Sequence, residues 1–300
     1  GLVFTIPQMI TLRMPIPITM ILLVWFTLLL TVLCLSCAVF LPRSILLGPL
    51  AVGASWALLD WTNYSAVPFW GMAQSFARSW TGLPFLIQFI SITGISGVLL
   101  IIGILQGLTA HFIVNASKRK QTGLAMVMLI LVLSTINSII WFQKPIRYLR
   151  VAAAGWVFDD RTSEVDPHTP EGFEQFFAAP ARQAAQEGAR IFTTGELGFY
   201  IAGHQRDFWM ERFGRIACDN KLWLAVGYFN IDENKNRMFF MSPEGTIEAE
   251  YTKTCLTPFE PGWNGNGDLK TIEVEKISVG GMICQDDNFA RLTRYYGRYK

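Results

Sequence analysis

Apolar residues form long, nearly unbroken runs before residue 143 and short, interrupted runs after it. Four of the long runs approach or exceed the roughly 20 residues that a bilayer-spanning helix needs. We therefore predict four spans, at residues 18–41, 44–61, 83–113 and 123–142. The third run is too long for one straight span, so we expect tilt, an interfacial first turn, or a kink near Gly94 or Gly97.

The segment 63–82, between the second and third predicted spans, is aromatic and almost uncharged, with Trp70, Phe76 and Trp80. Aromatic side chains of this kind are typical of the membrane–water interface. Two interpretations stay open: an ordinary connecting loop, or a lip that touches a lipid substrate.

Beyond residue 143 the pattern changes to alternating strands and helices, which indicates an α/β layered domain with a mixed sheet. A turn at 243–245 between two β-rich runs predicts a hairpin. The chain is thus predicted to hold a transmembrane helix bundle at 1–143 and a second domain at 144–300. The predicted strands are 148–157 (buried), 189–194, 222–229, 237–242, 247–251, 271–274 and 277–284, and the predicted helices are 170–187 and 208–220.

Charge supports this division. Only 16% of residues are charged, against about 25% in soluble domains, and most of the charges follow residue 143. The net charge of +2 is too small to indicate a nucleic-acid partner. Lys118, Arg119 and Lys120 lie between the third and fourth spans, and the positive-inside rule places them in the cytoplasm. The domain after Gln143 is then expected on the outer side.

Three polar residues occur where predicted strands end: Glu196, Lys253 and Cys284. Strand ends converge in layered α/β folds, so these side chains could meet. A carboxylate can take a thiol proton, and a lysine can stabilise an oxyanion. Each residue also has an ordinary interpretation, as a solvated charge or a buried cysteine, and spacing alone does not exclude it. No metal or organic cofactor is required.

The other four cysteines are less informative. Cys34 and Cys37 lie in an apolar run and are predicted to pack there. Cys218 is not expected to act as a nucleophile. Cys255 is two residues past Lys253, so in an extended segment it would face the same side. We predict that it fills space beside the pocket.

Three segments resemble the three motifs of the nitrilase (carbon–nitrogen hydrolase) superfamily: EGARIFTTGELGF, PEGTIEAEYTKTCLTPFEPG and ISVGGMICQDDNF. The resemblance implies an α-β-β-α sandwich in which Glu196 is the general base, Lys253 the catalytic lysine and Cys284 the nucleophile. It adds Glu260 and Asp286 as supporting carboxylates. The sequence departs from the family at Gly195, where a proline is usual, at Glu260, which directly follows Phe259, and at Gln285 and Asp286, where the family has an aromatic residue and Glu. Thr254 and Cys255 stand where the family has a His.

In the membrane half, the segment PFLIQFISITGISGVLLII is similar to the matching stretch of the apolipoprotein N-acyltransferases. That resemblance covers roughly residues 44–300. It implies transfer of an acyl chain from a phospholipid donor to the N-terminal amine of a lipoprotein acceptor. It also implies a multi-pass protein of the bacterial inner membrane with its catalytic domain on the periplasmic side.

Two rival functions remain. One is a membrane-anchored carbon–nitrogen hydrolase acting on a small amide or nitrile, and the other is a non-enzymatic binding module. The resemblance also bears on completeness, because the nucleophile strand lies near the middle of a nitrilase-like domain and only 16 residues follow Cys284. We expect the second half of the sandwich and a final span to lie outside these residues. A chain ending here should then have an open sheet edge, be inactive and aggregate.

Overall fold

A computed structural model describes residues 16–42, 44–66, 72, 75–143, 147–155, 166–257, 260, 262, 263, 265 and 267–297. The chain divides into two compact units, Gly1–Lys144 and Pro145–Lys300. Each unit has its own core. Trp70 of the predicted interfacial loop lies outside the described residues, as do Pro258 and Phe259 of the second motif.

The first unit is helical. Three of its helices are long and apolar enough to cross a membrane, namely Thr19–Phe40, Ile95–Val114 and Ala116–Trp141. The predicted second span also forms a long helix, but it is not one of these three. It carries Asp60 and Asn63, both fully buried, which makes its composition more mixed. The α-helices are α1 Ile16–Phe40, α2 Leu47–Ala66, α3 Ile90–Thr93, α4 Ile95–Val114 and α5 Arg119–Trp141, with 3-10 turns at Phe76–Trp80, Pro84–Leu86 and Ala116–Lys118.

The described part of the predicted interfacial loop is held to α2. Asp60 accepts hydrogen bonds from Ser75 Oγ at 2.7 Å and from the backbone N–H of Phe76 at 2.9 Å. The ring of Phe76 packs edge-on against Phe26 and Trp56. A buried carboxylate in this position is satisfied by loop donors, which explains why α2 tolerates it.

The expected kink in the third run is at Gly94. There α3 ends and α4 begins, and Gly94 has φ of +71° with extended ψ, a conformation that residues with a Cβ rarely adopt. Asn137 of α5 fixes the segment before the kink, accepting from Phe89 N at 3.0 Å and donating to Leu86 O at 2.7 Å.

The second unit contains a six-stranded mixed sheet in the order β1-β2-β4-β5-β6, with β3 beside β4. Strands β1, β2 and β4 run parallel, while β4, β5 and β6 are antiparallel, and a separate hairpin joins β7 and β8. The strands are β1 Val151–Ala154, β2 Ile191–Thr194, β3 Phe199–Ile201, β4 Trp223–Asn230, β5 Lys235–Met241, β6 Ile247–Thr252, β7 Thr271–Val274 and β8 Ile277–Gly280.

Helices cover one face of this sheet, and the β7–β8 hairpin covers part of the other. On the helical face Phe177 and Phe213 pack with Phe239 of the sheet, whereas on the opposite face Phe240 packs with Ile272. Of the four layers that the resemblance implies, the described residues form a helix layer, one sheet and this hairpin. The helices of this layer are α6 Pro170–Phe173, which continues through a π turn at Glu174–Ala178 into α7 Ala179–Gln186, and α8 Arg206–Asn220. A further helix, α9 Ala290–Tyr296, follows the hairpin, and Tyr296 OH donates to Gly281 O at 2.6 Å.

Two strand predictions need correction, and one strand was missed. The first strand is not buried: within the described part of the sheet β1 is an edge strand, and Val151 is 53% exposed. The last strand ends at Gly280, so Cys284 does not close it. The strand β3 was not predicted at all, because three residues are too few to show an alternating pattern.

Candidate active site

Glu196 lies in the turn that leaves β2, close against β4. The turn is held by Thr194 Oγ1, which accepts from the backbone N–H of Gly227 at 3.0 Å. A Cβ at position 227 would come within 2.4 Å of Gly195 O, so only glycine lets the two segments approach this closely. The turn also places Leu197 at φ of +56°.

Lys253 follows β6 and is fully buried between two carboxylates. Its Nζ donates to Oε1 of Glu196 at 2.8 Å and to Oε1 of Glu260 at 2.5 Å. Glu260 is itself fixed, because its Oε2 accepts from the backbone N–H of Thr257 at 2.7 Å. Burial alone would lower the pKa of Lys253, but the hydrogen bonds and charges of Glu196 and Glu260 outweigh it and raise the pKa. Lys253 is therefore a cation that keeps its protons.

Cys284 lies at the start of a 3-10 turn, Cys284–Asn288, with φ of +47°. Left-handed backbone costs a residue with a Cβ roughly 1–2 kcal/mol, and such strain is common at functional sites. The residue is exposed, yet its sulfur is sufficiently surrounded for desolvation to raise its pKa. A hydrogen bond to Glu196 and that residue's negative charge raise it further, while Lys253 and the N–H of Gln285 lower it, and the pKa is about 11.

The structure thus brings the side chains of Glu196, Lys253 and Cys284 together, with Glu260 on the far side of the ammonium group. At neutral pH the thiol keeps its proton and hydrogen-bonds to a carboxylate. Such a thiol needs a base at the moment it attacks, and Glu196 is in position to be that base.

Asp286 has no described hydrogen bond to the side chains of this cluster, but it connects the two segments that carry Lys253 and Cys284. Its fully buried carboxylate accepts from Tyr251 OH at 2.7 Å, Cys255 N at 2.6 Å and Ile283 N at 3.2 Å. Burial, followed by the hydrogen bond to Asp286, raises the pKa of Tyr251, which keeps its donor proton. Asp286 is therefore a positioning residue.

Replacing Asp286 by asparagine should destabilise the second unit by about 1–3 kcal/mol, because the amide leaves buried donors unsatisfied and adds one more. Chemical denaturation of the full-length protein measures this change. Asp287→Asn is the matched control, since Asp287 is the next residue and is exposed. Equal effects of the two substitutions would contradict the assignment.

Asn236 is a site residue that the sequence analysis missed. Its Nδ2 donates to Oε1 of Glu196 at 2.5 Å, and its backbone carbonyl accepts from Lys253 N at 2.9 Å. The sequence shows only an amide between two charged residues, Lys235 and Arg237, and the structure buries that amide.

The remaining cysteines of the second unit do not join the cluster through any contact that the structure describes. Cys255 is buried, and Arg291 donates to its sulfur at 3.6 Å. Desolvation raises its pKa, as it does that of Cys284, so the described contacts and not the pKa distinguish the two thiols. Cys218 is exposed on α8.

Among known proteins, only solved structures match this chain, and they do so at low sequence identity. No family model matches the chain, and no curated protein matches its sequence. The similar solved structures include an amidase from Nesterenkonia sp., at 17% identity and a TM-score of 0.41 over 49% of this chain and 59% of that one. A mutant of the Nesterenkonia AN1 amidase, described as from the nitrilase superfamily, is 15% identical with a TM-score of 0.43, over 53% and 64%.

A further mutant of this amidase shows covalent addition of the acetamide moiety of fluoroacetamide at its active-site cysteine, at 17% identity and a TM-score of 0.42. The chain spans 59–64% of the length of these three structures. The structural neighbours are thus nitrilase-superfamily amidases at low identity.

Proposed function

We propose that this protein is an N-acyltransferase that moves an acyl chain from a phospholipid, through a thioester on Cys284, to the N-terminal amine of a lipoprotein. The observation that carries the proposal is one buried ammonium held by two carboxylates, of which one, Glu196, also hydrogen-bonds to a thiol on a strained turn. This arrangement supplies a nucleophile, a base and a fixed cationic donor in one place.

In the first half-reaction Glu196 takes the thiol proton as the sulfur of Cys284 attacks the ester carbonyl. The tetrahedral oxyanion is stabilised by Lys253, whose ammonium has three protons and donates two of them to Glu196 and Glu260. Collapse breaks the ester C–O bond, and Glu196 returns the proton to the departing lysophospholipid oxygen.

In the second half-reaction the acceptor amine attacks the thioester carbonyl and Glu196 takes a proton from the nitrogen. Collapse breaks the C–S bond, and the sulfur leaves as the proton returns to it. The products are an amide and the resting thiol, so the two steps balance. We assign Glu260 and Asp286 supporting roles: Glu260 orients Lys253, and Asp286 positions the segments on both sides.

Three apolar helices favour a lipid donor over a soluble one, because ester carbonyls lie at the membrane surface. The rival function is a membrane-anchored carbon–nitrogen hydrolase acting on a small amide. In that reaction water attacks the thioester that the acyl group of the amide forms with Cys284. The same triad serves both functions, and the acceptor distinguishes them.

Full-length protein in lipid nanodiscs, given phospholipid with a radiolabelled acyl chain, tests the proposal. We expect label on Cys284, and its transfer to the amine of an added diacylglyceryl-cysteine peptide. Release of label only as free fatty acid, or turnover of small amides without lipid labelling, would favour the hydrolase. If the protein shows no labelling and no amide turnover, the result would favour a binding module.

The topology gives a separate prediction, since we place the second unit outside the cytoplasm of a bacterial inner membrane. A reporter that fluoresces only in the cytoplasm, fused after Tyr148, should stay dark because Lys118, Arg119 and Lys120 hold their loop inside. The same reporter inserted after Lys118 should fluoresce. A bright fusion after Tyr148 would overturn the orientation.

A further inference from the structure

Three aromatic side chains form a continuous row in the second unit. The ring centroids of Tyr200 and Phe229 are 5.8 Å apart, and those of Phe229 and Trp263 are 4.8 Å apart. Tyr200 is 47% exposed, and the other two residues are half-buried. We call this row the aromatic ledge. Large aromatic side chains gain stability by burying their area, so a partly exposed row of three is typical of a binding surface.

The aromatic ledge lies on the face of the sheet that carries the candidate active site. Phe229 of β4 pairs with Asn236 of β5, so the two side chains lie on the same face. Asn236 donates to Glu196, which hydrogen-bonds to Cys284. Tyr200 pairs with Phe229 across β3 and β4 and therefore lies on this face as well. One pair of residues thus connects the ledge to the base.

Trp263 reaches the ledge from the loop that carries Glu260. The backbone N–H of Trp263 donates to Glu260 O at 3.4 Å, which closes a turn between the two residues. Asn234 Nδ2 donates to Gly262 O at 2.5 Å and ties this loop to the connection between β4 and β5. The same loop therefore fixes a carboxylate of the active site and places an indole ring against Phe229.

The group of the substrate that is bound to the reacting carbonyl is the occupant that this position favours. When the sulfur of Cys284 attacks, the carbonyl lies at the thiol, and its alkyl substituent extends over the surface beside it. On the face of the sheet that Phe229 shares with Asn236, that surface includes the ledge. A hydrocarbon chain laid on partly exposed rings removes apolar area from water on both sides.

We propose that the aromatic ledge binds the acyl chain of the substrate while Cys284 reacts with its carbonyl. Phe229 is then a residue that determines acyl-chain specificity, because its ring contacts both other rings of the ledge. The inference rests on the proposed function in taking Cys284 as the nucleophile. It applies to acyl transfer and to the rival hydrolase alike, since both form a thioester.

The test measures whether Cys284 reacts faster with reagents that carry longer alkyl chains. An alkyl methanethiosulfonate transfers its alkylthio group to a thiolate and releases methanesulfinate, so the chain begins close to where an acyl chain would. Full-length protein in nanodiscs is treated with the methyl and the butyl reagent, and mass spectrometry follows the peptide that contains Cys284. Each rate is divided by the rate with glutathione. The ratio of the two normalised rates cancels the ionisation of the thiol.

Full burial of a methylene group favours binding about fourfold, so a chain covered on one side should gain about twofold per carbon. The butyl reagent should therefore react about eightfold faster than the methyl reagent. Phe229→Ala should lower this ratio to about twofold, and Trp263→Ala should lower it less, because Trp263 lies at the end of the row. Phe208→Ala, at an exposed position on the helical face, is the matched control and should keep the ratio.

Two results would overturn the proposal. The first is equal normalised rates for the two reagents in the unmodified protein, as would follow if another part of the chain covered the ledge. This measurement needs no variant, so it stands even if Phe229→Ala fails to fold. The second is a loss in Phe208→Ala as large as that in Phe229→Ala. Failure of the proposed function gives a different pattern: Cys284 takes no label from phospholipid, while the dependence on chain length persists.

Discussion

Cys284→Ala should abolish covalent acyl labelling and reduce acyl transfer by roughly 10⁴-fold or more, because no other described thiol touches Glu196. Cys255→Ala and Cys218→Ala should keep most of the activity, since Cys255 is buried against Arg291 and Cys218 is exposed on α8. The measurement is radiolabelled lipid bound to each full-length variant in nanodiscs.

A second variant of Cys284 separates loss of activity from loss of stability. Cys284→Gly should be as inactive as Cys284→Ala but unfold at a higher temperature, because glycine accepts φ of +47° without the left-handed strain. Label that survives in Cys284→Ala would show that another residue is the nucleophile.

The sequence predicted the second unit well where a clear turn separates two β-rich runs. The turn at Pro243–Gly245 and the β-rich runs around it predicted the β5–β6 hairpin, and the structure has φ of +78° at Gly245. The prediction that β1 is buried failed because the burial of a strand depends on which strands lie beside it in the sheet. A run of apolar residues carries no information on those neighbours. The sequence analysis missed β3 because the strand is too short.

The candidate site was predictable in its members but not in its geometry. Residue order along the chain suggested that Glu196, Lys253 and Cys284 meet, yet it placed Cys284 at the end of a strand. In the structure the strand stops at Gly280, and the thiol is presented by a left-handed turn. Asn236 escaped notice because its role depends on a contact with Glu196, 40 residues away in sequence.

In the first unit, length and apolarity predicted the three described helices that are long and apolar enough to cross a membrane. The helix Leu47–Ala66 differs because polar residues lower its hydropathy, among them Asp60 within the predicted span and Asn63 just beyond it. Both are buried, and Asn63 accepts from the indole N–H of Trp25 at 2.8 Å. Hydropathy counts such residues as exposed polar groups. It contains no information on the partners that make their burial tolerable.

Lys253→Met should lower acyl transfer about 100-fold or more, because it removes the donor that stabilises the oxyanion. The substitution also leaves Glu196 and Glu260 without the cation between them, which should cost stability. Adding Glu260→Gln restores the site charge, since one ammonium and two carboxylates give −1, as does Glu196 alone. The double variant should therefore regain stability without regaining turnover.

Glu196→Gln should be at least as inactive as Lys253→Met, yet its effect on the thiol should have the opposite sign. The charge and hydrogen bond of Glu196 raise the pKa of Cys284, and Lys253 lowers it. Removing Glu196 should therefore bring the pKa below its value of about 11, and removing Lys253 should raise it. The pH dependence of iodoacetamide alkylation measures both shifts, with Cys255→Ala and Cys218→Ala in the background. At pH 8, Glu196→Gln should react faster than the unmodified protein although it transfers no acyl chain, because its thiol ionises more readily but has no base. A pH profile of alkylation in Glu196→Gln that matches that of the unmodified protein would mean that the carboxylate does not act on the thiol, and the base assignment would fail.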